Sequence, residues 1–422
     1  MGGFVEFPKL VKVKQQFDST KLNDIPKTIS EEIQSSNVCA HLKPGDSVAI
    51  TAGSRGVTNI ATIIRSLVFE LKKRGARPFI IPAMGSHGGG TAEGQLNVLQ
   101  HYGITESLMG VPIRATMETI QIGETSEKIP VFVDQNAFKA DHIAVVNRVK
   151  PHTDFDGDIE SGMTKMMAIG LGKHRGATYY HRANNKYGYY QVLTQVAEVV
   201  KARCSILLGL GIVENGYEKT SLIQAMASHE ILEKEKNLLK IAKSNLARIP
   251  FAEADVLIVN RMGKNISGTG MDTNVIGRRA RLREPMENAP QYARIFVRDL
   301  TQESYGNATG IGMADIVTRR LVEKIDFKPT YVNAITSTTL EGVRIPVTFD
   351  SDFEALEVAV STSGASSGED CRMIWVKDTL ELDYLIASES LLDEISENSR
   401  LEIIDEFHNL NFDSDGNLES LF

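Results

Sequence analysis

The stretch from Asn147 to His181, NRVKPHTDFDGDIESGMTKMMAIGLGKHRGATYYH, concentrates side chains that do chemistry. His152 follows Pro151, a run of acids comes next, and Lys165 interrupts the apolar segment MTKMMAIGLG. A lysine kept in apolar surroundings has a destabilised charge and becomes a nucleophile or a covalent attachment point. The plainer reading is a lysine that snorkels from a helix to water. Against it, Met163, Met166, Met167, Ile169 and Leu171 leave little polar surface nearby. Lys173 and His174 lie one glycine turn beyond and compete for the same role. His181 is a candidate metal ligand, but a single histidine needs other donors to complete a coordination sphere.

A second histidine, His87 in GSHGGG, sits among glycines that let a ligand approach. His87 and His152 each admit a bland reading as loop histidines bonded to backbone. As a pair on separate loops at one sheet edge, they could flank one substrate carbon and act as acid and base from opposite faces. In TAGSRGVTN, Ser54 and Arg55 could add side-chain contacts to a loop whose backbone N–H groups favour a phosphate or carboxylate. Neither a P-loop nor a G-x-G-x-x-G fingerprint is present. The acids Asp156, Asp158 and Glu160 do not follow the EF-hand spacing, so a solvated acidic turn is expected there.

The elements that must position these groups alternate. GDSVAITAGSRGVTN reads as a strand running into a glycine loop, and IATIIRSLVFELKKRGA as the helix after it. RPFIIPAMGSHGGGTAEGQLNVLQHYG repeats the unit, ADHIAVVNRV is a further strand, and ARCSILLGLGIVENG and ADVLIVNRMGKNISGTG are strand-then-glycine units. The pattern predicts an α/β fold of two domains with mainly parallel sheets. The active site is expected at the strand C-terminal ends, in the interdomain cleft. With 422 residues, two cores are expected. The boundary is placed near Ile249, before the fresh strand that follows Pro250. This gives domains 1–249 and 250–422, with an acidic, partly helical tail from about 398 to 422 that could fold back on the first domain.

The net charge is −8, with no basic stripe, so neither nucleic acid nor a membrane surface is an expected partner. Three dispersed cysteines exclude a disulfide framework. The start MGGFVEFPKL lacks a signal-peptide pattern, and no apolar run is long enough to span a bilayer, so a cytoplasmic location is expected.

Taken together, Arg55, His87, His152, Lys165 and His181, in this order on strand-end loops and the segment beyond, resemble the lactate racemase LarA family. The resemblance implies a nickel-pincer nucleotide tethered to Lys165 through a thioamide. It implies nickel held by the pincer's carbon and two sulfurs plus His181, soft donors that suit nickel. It also implies His87 and His152 as acid and base, Arg55 as a substrate contact in the catalytic set, and Ser54, Arg55 and Gly162 among the cofactor-binding positions. Where the family reads S-G-G-R-K, this chain has SGMTK, with extra residues before it. Lys264, Asn265, Asp272 and Arg278, in MGKNISGTGMDTNVIGRR, are the substrate candidates of the second domain. The implied function is a racemase or epimerase of a 2-hydroxy acid working by hydride transfer. Asn265 and Asp272 point toward a more hydroxylated substrate such as a sugar acid. The implied partners are that small molecule and the enzymes that make the cofactor, and an oligomer is compatible with the sequence. The rivals are a divalent-metal lyase or dehydratase using the acids of DFDGDIE, and a nucleotide- or cofactor-binding protein without turnover.

Overall fold

Strands buried on both faces read as continuous apolar runs, and strands with one wet face as alternating ones. Both kinds occur here. The computed structural model describes residues 6–54, 56–280, 286 and 289–422. The chain forms two compact units, one of Asp18–Leu246 and one of Ala247–Phe422 together with the N-terminal segment through Phe17.

The N-terminal segment departs from the sequence expectation. Its strand β1 (Leu10–Gln15) is not in the sheet of the chain that follows it. The unit Asp18–Leu246 instead holds β2 (Ser47–Ala52), β3 (Arg77–Pro82), the hairpin β4 (Thr119–Glu124) and β5 (Pro130–Asp134), then β6 (His142–Arg148), β7 (Ile206–Glu214) and β8 (Thr220–Met226). Its main sheet runs β3-β2-β6-β7-β8, parallel except for the β7–β8 pair. Side chains alternate between two apolar layers, as the pleat requires. Val48, Ile50, Ala144 and Val146 face one way and pack on the helix Ile60–Lys73 through Ile63, Ile64, Leu67 and Leu71. Each of these buried Val, Ile and Leu side chains contributes roughly 1.5–3 kcal/mol relative to exposure. Ala49, Ile81 and Val145 face the other layer with Met163, Met167 and Leu171 of the lysine segment. The C-terminal ends of β2, β3 and β6 therefore share one edge, from which the loops carrying Ser54, His87 and His152 depart.

The second unit holds β9 (Glu253–Val259), β10 (Gln291–Val297), β11 (Ile316–Thr318), β12 (Val347–Phe349), β13 (Met373–Val376), β14 (Tyr384–Ser388) and β15 (Leu401–Ile403). They form an eight-stranded sheet, β12-β11-β10-β9-β13-β14-β1-β15. The run from β12 to β13 is parallel and the rest antiparallel. In LVKVKQ, Leu10, Val11 and Val13 are fully buried there. The acidic tail from about 398 to 422, expected to be partly helical, is instead β15 and extended chain, and the short helix Leu392–Glu397 precedes it. It packs within its own unit: Leu10 bridges His408, and Phe412 joins Phe7 and Phe353 in an aromatic cluster. Apolar Phe412 and Leu418 anchor it despite the surrounding acids. Among the described residues, no helix is long and apolar enough to cross a membrane.

Candidate active site

Three strand-end loops meet the lysine segment. After β2, Ser54 hydrogen-bonds through Oγ to His87 Nδ1, and the Tyr102 hydroxyl donates to the Ser54 carbonyl at 3.1 Å. After β3, the His87 loop runs into three glycines with positive φ, and His87 itself is exposed. Near the end of β6, the Asn147 amide donates to the Gly162 carbonyl at 2.7 Å, tying this strand to the start of the lysine segment. Arg55 lies outside the described residues.

The lysine segment opens with a helical turn, Met163–Lys165, widens into a π-helical turn, Met166–Gly170, and continues as the helix Leu171–Tyr187. Such π turns recur at functional sites because they re-aim the side chains around them. Gly170 is required here, since a Cβ would lie 2.8 Å from the Ala83 carbonyl oxygen at the end of β3. Lys165 is half-buried. The fully buried lysine is Lys173, which corrects the expectation placed on Lys165. Lys173 has a φ of +54°, rare for a side-chain-bearing residue, inside an otherwise helical run. Its ammonium pairs with Asp134 at 3.1 Å, which is also fully buried, and donates to the Pro82 carbonyl and to Gln95 Oε1. Burial pulls the Lys173 pKa down, and the Asp134 carboxylate works in the opposite direction. The countercharge explains why the core accepts this lysine.

Glu235, on the helix Ile231–Asn245, fixes the start of the lysine segment. Its Oε2 accepts from Thr164 N at 2.9 Å and from Thr164 Oγ1 at 2.8 Å. The other carboxyl oxygen presses against Gly162, where any Cβ would collide. Burial pushes the Glu235 pKa up to about 7, and the two Thr164 bonds oppose the rise. The neutral acid is therefore the form suited to the fold. The stability it contributes is complete below the ordinary carboxyl range and is lost as pH rises through about 7.

His152 stands in a loop closed by the Lys150–Ser161 bridge. Glu160 holds this loop from inside, accepting from His152 N at 2.6 Å and Gly157 N at 3.1 Å, and pairing with Lys243 at 2.5 Å. Burial raises the Glu160 pKa, and Lys243 counters it. The acids of DFDGDIE thus divide: Glu160 is a buried scaffold, while Asp156 and Asp158 are exposed. Among the described residues, no group of three or more His, Cys, Asp or Glu side chains could hold a metal ion. Asp154 N donates to His152 Nδ1 at 3.0 Å. With Nδ1 accepting, the neutral ring carries its proton on Nε2.

Tyr189 gathers the remaining rings. Phe155 stacks on it with centroids 4.4 Å apart and planes within 2°. The His152 ring lies 6.0 Å from Tyr189, and the half-buried His181 ring lies 6.3 Å from it, edge to face. The structure therefore places His152 and His181 around one aromatic ring, and His87 with Ser54 on the neighbouring loops.

The four second-unit candidates fare differently. Asp272 is buried and caps the turn Thr273–Ile276, accepting from the Asn274 backbone and amide nitrogens, both at 3.0 Å. Arg278 pairs with Asp315 at 2.7 Å and donates to the Tyr292 carbonyl at 2.6 Å. Both charged groups build the loop, which weakens the step from Asp272 to a sugar acid. Lys264 donates to the Gly268 carbonyl, and the exposed Asn265 accepts from the Thr301 hydroxyl at 2.7 Å. Glu235, Gln95 and Tyr189 went unnoticed in the sequence, and Glu160, expected in a solvated acidic turn, is buried instead. Only Glu235 left a trace there: it holds a buried position with Ile231, Leu238, Leu239 and Ala242, where an apolar residue belongs.

Residues 8–188 match the family model of the lactate racemase N-terminal domain. No curated protein matches the chain. In fold, the chain is similar to the lactate racemase apoprotein from Thermoanaerobacterium thermosaccharolyticum, with a TM-score of 0.51 and 14% sequence identity over 85% of this chain and 92% of that one. At this identity the likeness is one of fold: mixed α/β with mainly parallel sheets.

Proposed function

We propose that this chain, whose residues 8–188 belong to the lactate racemase N-terminal domain family, is an isomerase that racemises or epimerises a 2-hydroxy acid. The observation that carries the reading is the gathering of His152 and His181 about Tyr189, at ring distances of 6.0 and 6.3 Å. It is supported by the His87–Ser54 pair on the neighbouring strand-end loops.

A nickel-pincer nucleotide fits the donor set. Among the described residues His181 is not part of a group of three or more His, Cys, Asp or Glu side chains, which suits a metal that brings most of its donors with it. Lys165 would tether the nucleotide and His181 would ligate the nickel. When bound, the group supplies the remaining soft donors and a hydride acceptor.

The chain's own residues then hold and move protons. His152 presents an N–H at Nε2 toward substrate, because its Nδ1 is engaged by the Asp154 backbone. His87, on the other loop, exchanges the hydroxyl proton from the opposite side of the substrate, with Ser54 fixing its ring. The buried Phe155 and Tyr189 rings form an apolar wall that limits water. Arg55 would hold the carboxylate, since its planar fork matches two oxygens.

Turnover in D2O tests this. With L-lactate and more hydroxylated 2-hydroxy acids as probes, the isomerised product is expected to keep protium at C2. Deuterium at C2 would show exchange through solvent and overturn the hydride route.

A further inference from the structure

We infer that Gln95 and Lys173 are positioning residues for His87. The inference rests on the reading of His87 as an acid/base group and adds how an exposed histidine among glycines is held in one orientation.

The loop itself supplies little restraint. Gly85, Gly88, Gly89 and Gly90 all have positive φ, and glycine carries the weakest conformational preference. Restraint comes from behind. Gln95, in the helix Ala92–His101, is fully buried. Its amide nitrogen donates to the Gly85 carbonyl at 3.0 Å and to the His87 carbonyl at 3.3 Å. The Gln95 amide oxygen accepts from Lys173 Nζ at 3.1 Å, which fixes the amide so that its nitrogen faces the loop. Lys173 also donates to the carbonyl of Pro82, the last residue of β3, and pairs with Asp134 at 3.1 Å. A left-handed φ turns Lys173 inward to make these contacts. A conformation of that kind persists only where its surroundings over-determine it. Lys173 follows Lys165 on the same segment, which kinks at Lys173 itself. The outcome is read at the Ser54 Oγ–His87 Nδ1 bond, whose geometry follows the position of the loop backbone that Gln95 contacts.

The test uses the full chain without cofactor, labelled with 15N at the histidine rings, and follows the His87 ring signals by NMR. Ser54→Ala removes the hydrogen bond directly and sets the reference shift. Gln95→Glu keeps the partner of Lys173 but cannot donate to the Gly85 and His87 carbonyls. It is expected to move the His87 signals in the same direction as Ser54→Ala, with the other histidines unmoved and near-UV circular dichroism unchanged. His87 signals that stay at their wild-type positions in folded Gln95→Glu protein would overturn the inference. So would a Ser54→Ala spectrum identical to wild type. Should Gln95→Glu fail to fold, Gln95→Met is read by the same criterion. The readout is independent of cofactor and turnover, so a failure of the proposed activity leaves it intact.

Discussion

Replacing His87 or His152 by glutamine in the cofactor-loaded protein is expected to lower kcat by about 100- to 10,000-fold, the usual range for a positioned general acid or base. Glutamine keeps hydrogen-bonding capacity but cannot exchange a proton near neutral pH. Its amide oxygen can still accept from the Asp154 N–H that now meets His152 Nδ1. The His152 loop should stand, because Glu160 holds it through the backbone N–H groups of residues 152 and 157. KM is therefore expected to change little. Nickel content and the mass on Lys165 should match wild type, since neither histidine is assigned to hold the cofactor. The measurement is steady-state isomerisation of the best probe by each variant at matched cofactor loading. A fall of only a few-fold in both variants would remove the two histidines from proton transfer.

Lys173→Met carries the largest expected effect on stability. The Lys173–Asp134 pair is fully buried on both sides. Removing one partner leaves a buried carboxylate without its countercharge, which costs about 3–5 kcal/mol. The loss also frees the Gln95 amide oxygen and the Pro82 carbonyl, each left without a buried donor. The double variant Lys173→Met with Asp134→Leu removes the orphaned charge and is expected to be more stable than Lys173→Met alone. Urea unfolding followed by near-UV circular dichroism measures both. A Lys173→Met loss below about 1 kcal/mol would mean that the pair is solvated in practice.

The strand-end loops were legible because their signal is local. A buried apolar run followed by glycines, then a helical period, marks a loop at the carboxyl end of a parallel strand. Ser54, His87 and His152 each follow such a run. What stayed hidden depends on contacts distant in sequence. Glu235 meets Thr164 across 71 residues and Asp134 meets Lys173 across 39, and no short window contains either pair. The choice between Lys165 and Lys173 as the buried lysine turned on one φ angle that composition does not encode. The strand β1 was hard to place for a similar reason. No short window shows that it would lie between β14 and β15 at the far end of the chain. Asp272 and Arg278 look like ligand-binding residues in sequence because capping and ligand contact draw on the same polar side chains.

The measurement that bears most directly on the central claim is an intact mass of the protein produced alongside a pincer-nucleotide synthesis pathway, with nickel quantified in the same sample and the added mass mapped by peptide. A mass increase is expected on the peptide carrying Lys165, not the one carrying Lys173, with near-stoichiometric nickel that is lost in His181→Ala. An unmodified Lys165 without nickel, under conditions that load a known lactate racemase, would contradict it.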